Sequence, residues 1–521
     1  MISLITAADA AELVKEKDVL AVGGNGGTGA PDAILRALEQ RFLTTETPRS
    51  LTLFHVTGIG AGSDCGLCHL AHAGLIDSVF GGNFGLQIPF MKLIRDEEIK
   101  GYNFPQGVMA QMCRALAAKQ PGVITHVGLH TYMDPRQEGG RMNTCTREEM
   151  VELINLVGRE WLFYRAPTPT IAFLRGTSAD EDGYVSMEHE ATTREDLSIA
   201  QAVHNAGGIV ICQVKRLVKR GTLNPHMVKI PGFLINHFVL VPDQMQTYAT
   251  HYDPSRSGET RVPVSTLVPD PMTDRRVIAR RAACQLRPAD VVNLGVGISA
   301  MIPNVAAEED IDEIMTLTVE SGVIGGVPGY GREFGTAYNP RAIIDQPYQF
   351  DFYDGGGLTC AFLSFAEVDG EGNVNVTRFG ERYDGSGGFI NITQSAQRLV
   401  FSGSLTGGGL DVVVEDGKIF IRREGKFKKF VPAVGQISFN GTLARERRQD
   451  ITFISERAVF KLEADGLVLV EIAPGVRLQE DVLDQIGFSP RVSSDLKLMD
   501  PRIFRPGRMG LRKELLDHNT N

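Results

Sequence analysis

Two stretches of this chain recur at fixed distances, and a repeat on that scale dictates a paired architecture before any single residue is weighed. Ala10, Ala11, Asp18, Val19, Gly23 and Pro31 return as Ala282, Ala283, Asp290, Val291, Gly295 and Pro303, an offset of 272 throughout. Each copy reads helix, strand, glycine turn, helix. Farther along, Ala172, Phe173, Leu174, Asp180, Gly183 and Val185 return as Ala361, Phe362, Leu363, Asp369, Gly372 and Val374, an offset of 189. The drop from 272 to 189 places 83 more residues between the matched blocks of the first half. Two similar α/β domains are the simplest account; chance likeness of strand-turn-helix units is the competing one.

Length agrees with two domains, since 521 residues exceed the roughly 250–300 at which a single core stops growing. Asp253 to Asp274 holds Pro254, Pro263, Pro269 and Pro271 with Ser257 and Gly258, which cannot continue a helix or a central strand. The expected division is therefore 1–252, a linker over 253–274, and 275–521. In the second half Leu410 to Val414, Ile419 to Arg423, Ala458 to Leu462 and Leu467 to Ile472 are short β-rich runs broken by Asp-Gly turns, so that half is expected to hold more sheet. Leu478 to Leu516 reads as a short helix mixed with irregular, proline-marked segments.

With 43% hydrophobic residues, 22% charged residues and 57 glycines, the chain reads as a loop-rich, soluble α/β protein. A net charge of -10 argues against nucleic acid as a partner, and the runs Lys426 to Lys429 and Arg445 to Arg448 are only small local patches. Met1 to Lys17 carries Asp9, Glu12 and Glu16 without an apolar core, and no run approaches the length of a membrane span. A cytoplasmic location with no membrane partner is expected. Seven cysteines in a chain of this kind read as free thiols.

One carboxylate stands out. Glu320 ends an apolar run and enters a turn dense in glycine, Ser321-Gly322-Val323-Ile324-Gly325-Gly326-Val327-Pro328. A strand-end carboxylate beside exposed backbone N–H groups can attack a carbonyl, and those N–H groups can hold the oxyanion. Such a residue can equally be a solvated loop side chain. The turn Gly24-Asn25-Gly26-Gly27-Thr28-Gly29 matches a dinucleotide-binding fingerprint after a strand. The strand Leu51 to Val56 lacks the acid that fingerprint expects for the ribose, and the nearest, Asp64, is too far along. The turn can instead hold a carboxylate or merely permit close packing. Cys65-Gly66-Leu67-Cys68-His69 has haem-attachment spacing, but no export signal and no second cysteine pair support haem or zinc. His69 and His72 read as a helix face; His126 and His130 flank a strand-like run. No metal site, nucleophile elbow or Walker lysine is expected.

The longer motifs carry a family resemblance. Glu320-Ser321-Gly322 with Gly325-Gly326-Val327-Pro328, Asn339-Pro340, Ile344 to Gly357 (IDQPYQFDFYDGGG), Gly385-Ser386-Gly387-Gly388-Phe389-Ile390, Tyr102 to Gly107 (YNFPQG), His126 to Leu129 and Asp134 to Gly140 resemble the family I coenzyme A transferases over nearly the whole chain, the single-chain propionate and acetate transferases most of all. The resemblance implies two related open α/β domains in tandem, the second carrying the nucleophile. It implies transfer of coenzyme A between a short-chain acyl-CoA (acetyl, propionyl, butyryl or acetoacetyl) and a free carboxylate, with coenzyme A as substrate and no permanently bound cofactor. Glu320 would form a mixed anhydride and then a glutamyl-CoA thioester.

By the same resemblance the Gly388 amide serves as oxyanion donor, with Gly387 the neighbouring alternative. Gln106 donates an uncharged hydrogen bond to the substrate or the carboxylate. Gly385, Gly387, Gly297, Gly325 and Gly326 line the coenzyme A path, and Gly26, Gly27 and Gly29 receive the free acid. A homo-oligomer, dimer or tetramer, is implied as well. A glutamate near its ordinary pKa of about 4.3 is ionised at neutral pH and needs no general base. Gly329 to Gly335 departs from the family pattern through Tyr330, Arg332, Glu333 and Phe334, and Arg332 could favour a dicarboxylic acceptor or simply face solvent. Acyl-CoA hydrolysis and a non-catalytic ligand sensor of the same fold are the alternatives.

Overall fold

The computed structural model describes residues 2–263, 271–295 and 297–517. It divides into two compact units: Met1–Val262 with Val319–Asp351 and Gly380–Asn391, and Pro263–Thr318 with Phe352–Phe379 and Ile392–Asn521. The first break falls inside the stretch expected as a linker, of which 264–270 lie outside the described residues. The start of that stretch is structured. Arg256 is fully buried, lies 3.9 Å over the Tyr338 ring and donates to the Thr336 hydroxyl at 2.7 Å.

In the first unit eight strands run parallel: β1 (Leu4–Ile5), β2 (Val19–Val22), β3 (Leu51–His55), β4 (Ile76–Gly81), β5 (Lys100–Asn103), β6 (Ile171–Asp180), β7 (Ile209–Val218) and β8 (His237–Leu240), in the order β1-β8-β7-β6-β2-β3-β4-β5. Strands buried on both faces read as continuous apolar runs rather than alternating ones, as Val19-Leu20-Ala21-Val22 and Ile171-Ala172-Phe173-Leu174 do. Helices supply the covering layers, and Thr6 opens the helix Ala7–Glu12 with a reciprocal cap to Asp9.

The second unit repeats the plan with β9 (Val291–Leu294), β10 (Thr316–Val319), β11 (Cys360–Ser364), β12 (Arg398–Ser402) and β13 (Asp450–Ile454), parallel in the order β10-β9-β11-β12-β13. Its sheet then extends through β14 (Ala458–Glu463) and β15 (Gly466–Ile472), which form an antiparallel hairpin on β13, and β16 (Arg491–Leu498), parallel to β15. The tail read as irregular thus contributes β16, whose charge-rich sequence Arg-Val-Ser-Ser-Asp-Leu-Lys-Leu hides a strand exposed along most of its length.

The duplication is visible at the level of single hydrogen bonds. Leu20 pairs with Ile171 as Val292 pairs with Cys360, and Ile209 pairs with Ile171 as Arg398 pairs with Cys360. The Asp18 carboxylate accepts from the Thr170 hydroxyl at 2.8 Å and the Lys15 N–H at 2.7 Å; Asp290 accepts from the Thr359 hydroxyl at 2.8 Å and the Arg287 N–H at 2.8 Å. These threonines obey the 189 offset too, and each also accepts the N–H that opens the neighbouring strand, Val19 or Val291. Asp180 and Asp369 likewise cap matching turns over 182–184 and 371–373.

The two nodes differ in burial. Asp290 is buried and also pairs with Arg398, whereas no ion pair holds Asp18 among the described residues. Removing a buried carboxylate strands its donors, one of them a cation. Asp290→Ala is expected to cost about 3 kcal/mol and Asp18→Ala about 1 kcal/mol; denaturant unfolding followed by circular dichroism should rank them in that order.

Candidate active site

The chain leaves β10 through a turn closed by the Gly322 N–H on the Val319 carbonyl, 3.0 Å. Gly322 sits at φ +99°, where a Cβ would lie 2.0 Å from the Ile344 carbonyl oxygen, so the corner after Glu320 admits only glycine. Ser321 is fully buried and donates its hydroxyl to the Gly335 carbonyl at 2.6 Å. Glu320, between a strand end and a pinned serine, has little backbone freedom.

Its carboxylate meets the turn Gly385–Gly388. A Cβ built on Gly388 would come 2.2 Å from Glu320 Oε2 and 3.2 Å from Phe350 Cζ, so any side chain there would displace the acid. Three hydrogen bonds to its backbone hold the turn in place: Ser386 N–H to the Asn103 side-chain Oδ1 (2.9 Å), Gly387 N–H to the Gly82 carbonyl (2.7 Å), and Gln106 N–H to the Gly387 carbonyl (2.9 Å). Asn103 is fixed in turn by donating to the Gly81 and Gly82 carbonyls and accepting from the Tyr132 hydroxyl. The Gly387 N–H is therefore committed, while the Gly388 N–H donates to none of the described residues. Of the two glycines expected as oxyanion donors, Gly388 is the one with a free donor.

Gln106 opens the helix Gln106–Ala117 and is buried; its amide faces Glu320 and favours the ionised acid. Burial outweighs that contribution and pushes the Glu320 carboxyl up to about 7. The expectation of an ordinary, fully ionised glutamate is thus corrected: removal from water destabilises the charged form, and among the described residues no cation faces it to compensate.

Phe350, which the sequence reading quoted only within a motif, joins the site. Phe350 lies on the helix Gln346–Asp354 and abuts both Gly388 and Gly107. Gln346, one turn earlier on the same face, accepts from Asn25 Nδ2 at 2.6 Å. Among the described residues, Asn25 Oδ1, Gln346 Nε2 and both amide atoms of Gln349 are buried with no hydrogen-bond partner. The signal for them was the recurrence of amide side chains in Gly24–Gly29 and in the motif after Ile344, which hydrophobic periodicity does not register.

Other expected groups have different placements. Gly26 and Gly27 already donate their N–H groups to the Gly58 and Phe334 carbonyls, at 2.7 and 3.2 Å, and a Cβ on Gly29 would strike the Arg194 guanidinium. A Cβ on Gly27 would lie 2.0 Å from the Arg332 carbonyl oxygen. The Gly26 and Gly27 N–H groups expected to receive the free acid are thus committed to backbone carbonyls, while Gly27 and Gly29 line a cavity with Thr28, Ala30 and Tyr248. Gly325 and Gly326 turn the chain between Val323–Ile324 and Val327–Pro328, backed by Arg341 and the Tyr338 carbonyl. Gly385 packs against the Asn103 amide, and Gly297, in the second unit, packs against Ser364. Arg332 pairs with Asp64 at 3.2 Å on the surface, and Glu333 is held by Arg256 and Thr250. His69 lies in the short helix Gly66–Leu70 and His72 just beyond it, and the two share Glu39 at 2.6 and 3.0 Å. Among the described residues no cluster of three ligating side chains could hold a metal, and no helix is long and apolar enough to cross a membrane.

Known proteins share this fold. Residues 4–240 match the family described as Coenzyme A transferase. Acetate CoA-transferase YdiF of Escherichia coli K12 is 43% identical over 98% of this chain and 96% of its own length; caffeate CoA-transferase of Acetobacterium woodii is 42% identical over 97% and 98%. The crystal structure of the YdiF acyl-CoA transferase apoenzyme from Escherichia coli O157:H7 superposes with a TM-score of 0.94 at 42% identity, covering 98% of this chain and 97% of that one; its thioester complex with CoA gives 0.93 over the same shares. Full-length identity at this level, on the same fold, makes the chain a CoA-transferase: it belongs to the family I coenzyme A transferases.

Proposed function

We propose that the enzyme moves coenzyme A between a short-chain acyl-CoA and a free carboxylic acid by a ping-pong route through a thioester on Glu320. The observation that carries this reading is the approach of the Glu320 carboxylate to Gly388, whose N–H is unused. The carboxylate attacks the acyl-CoA carbonyl, and the Gly388 N–H stabilises the oxyanion as the thiolate leaves. The thiolate then attacks the glutamyl carbonyl of the mixed anhydride, releasing the donor acid and leaving the thioester; an acceptor acid reverses the steps. A thioester complex of a protein 42% identical to this one supports the covalent route.

Gln106, Asn25, Gln346 and Gln349 supply uncharged hydrogen-bonding groups for the polar atoms of the acid. In a site that must admit a second carboxylate beside Glu320, neutral amides bind without trapping either anion as a salt bridge would. Acetyl, propionyl, butyryl and acetoacetyl groups are the proposed cargo, in keeping with a relative named for acetate. The cytoplasm, as a homo-oligomer, is the proposed setting.

Incubation with propionyl-CoA alone should shift the mass of the Glu320 peptide by the coenzyme A adduct, and Glu320→Ala should abolish both adduct and exchange while circular dichroism is unchanged. Exchange at the parental rate in that variant would overturn the reading. Gly388→Ala needs no unusual φ, so it should fold normally yet lower kcat by roughly two orders of magnitude as its methyl displaces the acid. A pH profile tests the ionisation. Because burial holds the acid at about 7, kcat/KM for acyl-CoA should fall about tenfold per unit below about pH 7 and level off above it. Gln106→Leu removes the group that favours the carboxylate and should move that limb to higher pH.

A further inference from the structure

The run Lys426-Phe427-Lys428-Lys429 has no part in the site described above, and its last lysine occupies an unusual place in the second unit. Its backbone is clamped: the Lys429 N–H donates to the Leu405 carbonyl at 3.4 Å and its carbonyl accepts from Val368 N–H at 2.8 Å. The side chain runs past Gly407 to Gly403, where a Cβ would come 3.0 Å from Nζ, and ends 4.5 Å over the Phe365 ring. Phe365 follows β11 and Gly403 follows β12, so the amine lies over the carboxyl ends of adjacent parallel strands, the edge at which open α/β sheets bind their ligands.

Beyond the Phe365 ring, the amine has no hydrogen-bonding or ion-pair partner among the described residues. Among the described residues no acceptor lies within hydrogen-bond distance of Lys429 Nζ and no carboxylate within 4.0 Å. Lys428, beside it, donates to the Asp484 and Ile486 carbonyls, and Lys100 and Lys219 pair with Asp77 and Glu181. Glu456 is the charged group that faces Lys429, and it is committed to Arg457 at 2.7 Å and to the Leu405 N–H at 3.0 Å.

We propose that Lys429 is a self-acylation site, at which the amine attacks the carbonyl of the enzyme's own acyl-CoA substrates. The C–N bond forms, the C–S bond breaks, and the thiolate leaves with the bonding electrons and takes up the proton that the amine releases; acyl-CoA and lysine become acyl-lysine and free thiol. The Phe365 face favours the ammonium, and removal from water opposes it. Burial also pushes the ammonium down to about 8 against the weak pull of Glu456. At pH 8 the neutral fraction then exceeds that of an ordinary lysine by roughly a hundredfold, part of which the lower basicity offsets. The inference needs acyl-CoA to reach the protein and does not need Glu320 to be the nucleophile.

The test is to incubate the full chain with acetyl-CoA at pH 7, 8 and 9, digest with a protease that does not cleave at lysine, and measure acyl occupancy at each lysine of the run by fragment-ion mass spectrometry. Lys429 should be labelled roughly tenfold faster than Lys426 and Lys428 at pH 8, with its advantage shrinking at pH 9 as ordinary lysines deprotonate. Lys429→Arg should remove that label and leave the slow labelling of Lys426, and Glu320→Gln should retain it. Equal rates along the run, or loss of the Lys429 label in Glu320→Gln, would overturn direct attack by this amine. The Glu320 thioester is read on a different peptide, so failure of either idea is distinguishable from failure of the other.

Discussion

The contact between Glu320 and Gly388 constrains everything else in the first unit's site. An oxygen that would lie 2.2 Å from a Cβ leaves room for a hydrogen and nothing larger, so the turn carrying Gly388 must be held without help from its own side chain. That support comes from elsewhere in the unit: Asn103, Gly82 and the first N–H of the helix at Gln106 each take one polar group of Gly385–Gly388. Removing any of these would loosen a separation that a flexible turn could not keep.

The same closeness sets the electrostatics. Packing Phe350 and a glycine turn against a carboxylate removes water, and the acid responds by holding its proton up to about 7. A cation would lower that value, but it would also bind the carboxylate tightly and make it a poorer nucleophile. The structure instead sets the uncharged Gln106 amide against it. Buried amide atoms left without partners are costly, about 1–3 kcal/mol each, and native proteins keep such groups where a bound molecule completes them. Asn25, Gln346 and Gln349 carry such atoms among the described residues.

The two sheets show which parts of a duplicated fold are preserved by physics. What repeats is the pairing register of the central strands and the aspartate-threonine node that begins them, because a one-residue slip would turn every buried side chain to the wrong face. What diverges is the material beyond the strand ends. After β2 the glycine turn is filled by backbone from 332–334, whereas after β9 the chain enters a short helix at Gly297–Met301.

The sequence by itself determined the doubled α/β plan, the family and the candidate acid, because repeats at 272 and 189 and long motifs are properties of chain order. Parallel strands buried on both faces also announce themselves as apolar runs. Tertiary structure alone decided which donors are free, how acidic Glu320 is, and that its segment, Val319–Asp351, packs within the unit built mainly from the first 262 residues. Glycine patterns could not reveal that the N–H groups of Gly26, Gly27 and Gly387 are already taken while that of Gly388 is not. Hydrogen-bond satisfaction and desolvation depend on what lies within a few ångströms in space, and in this fold those neighbours are separated by hundreds of residues along the chain.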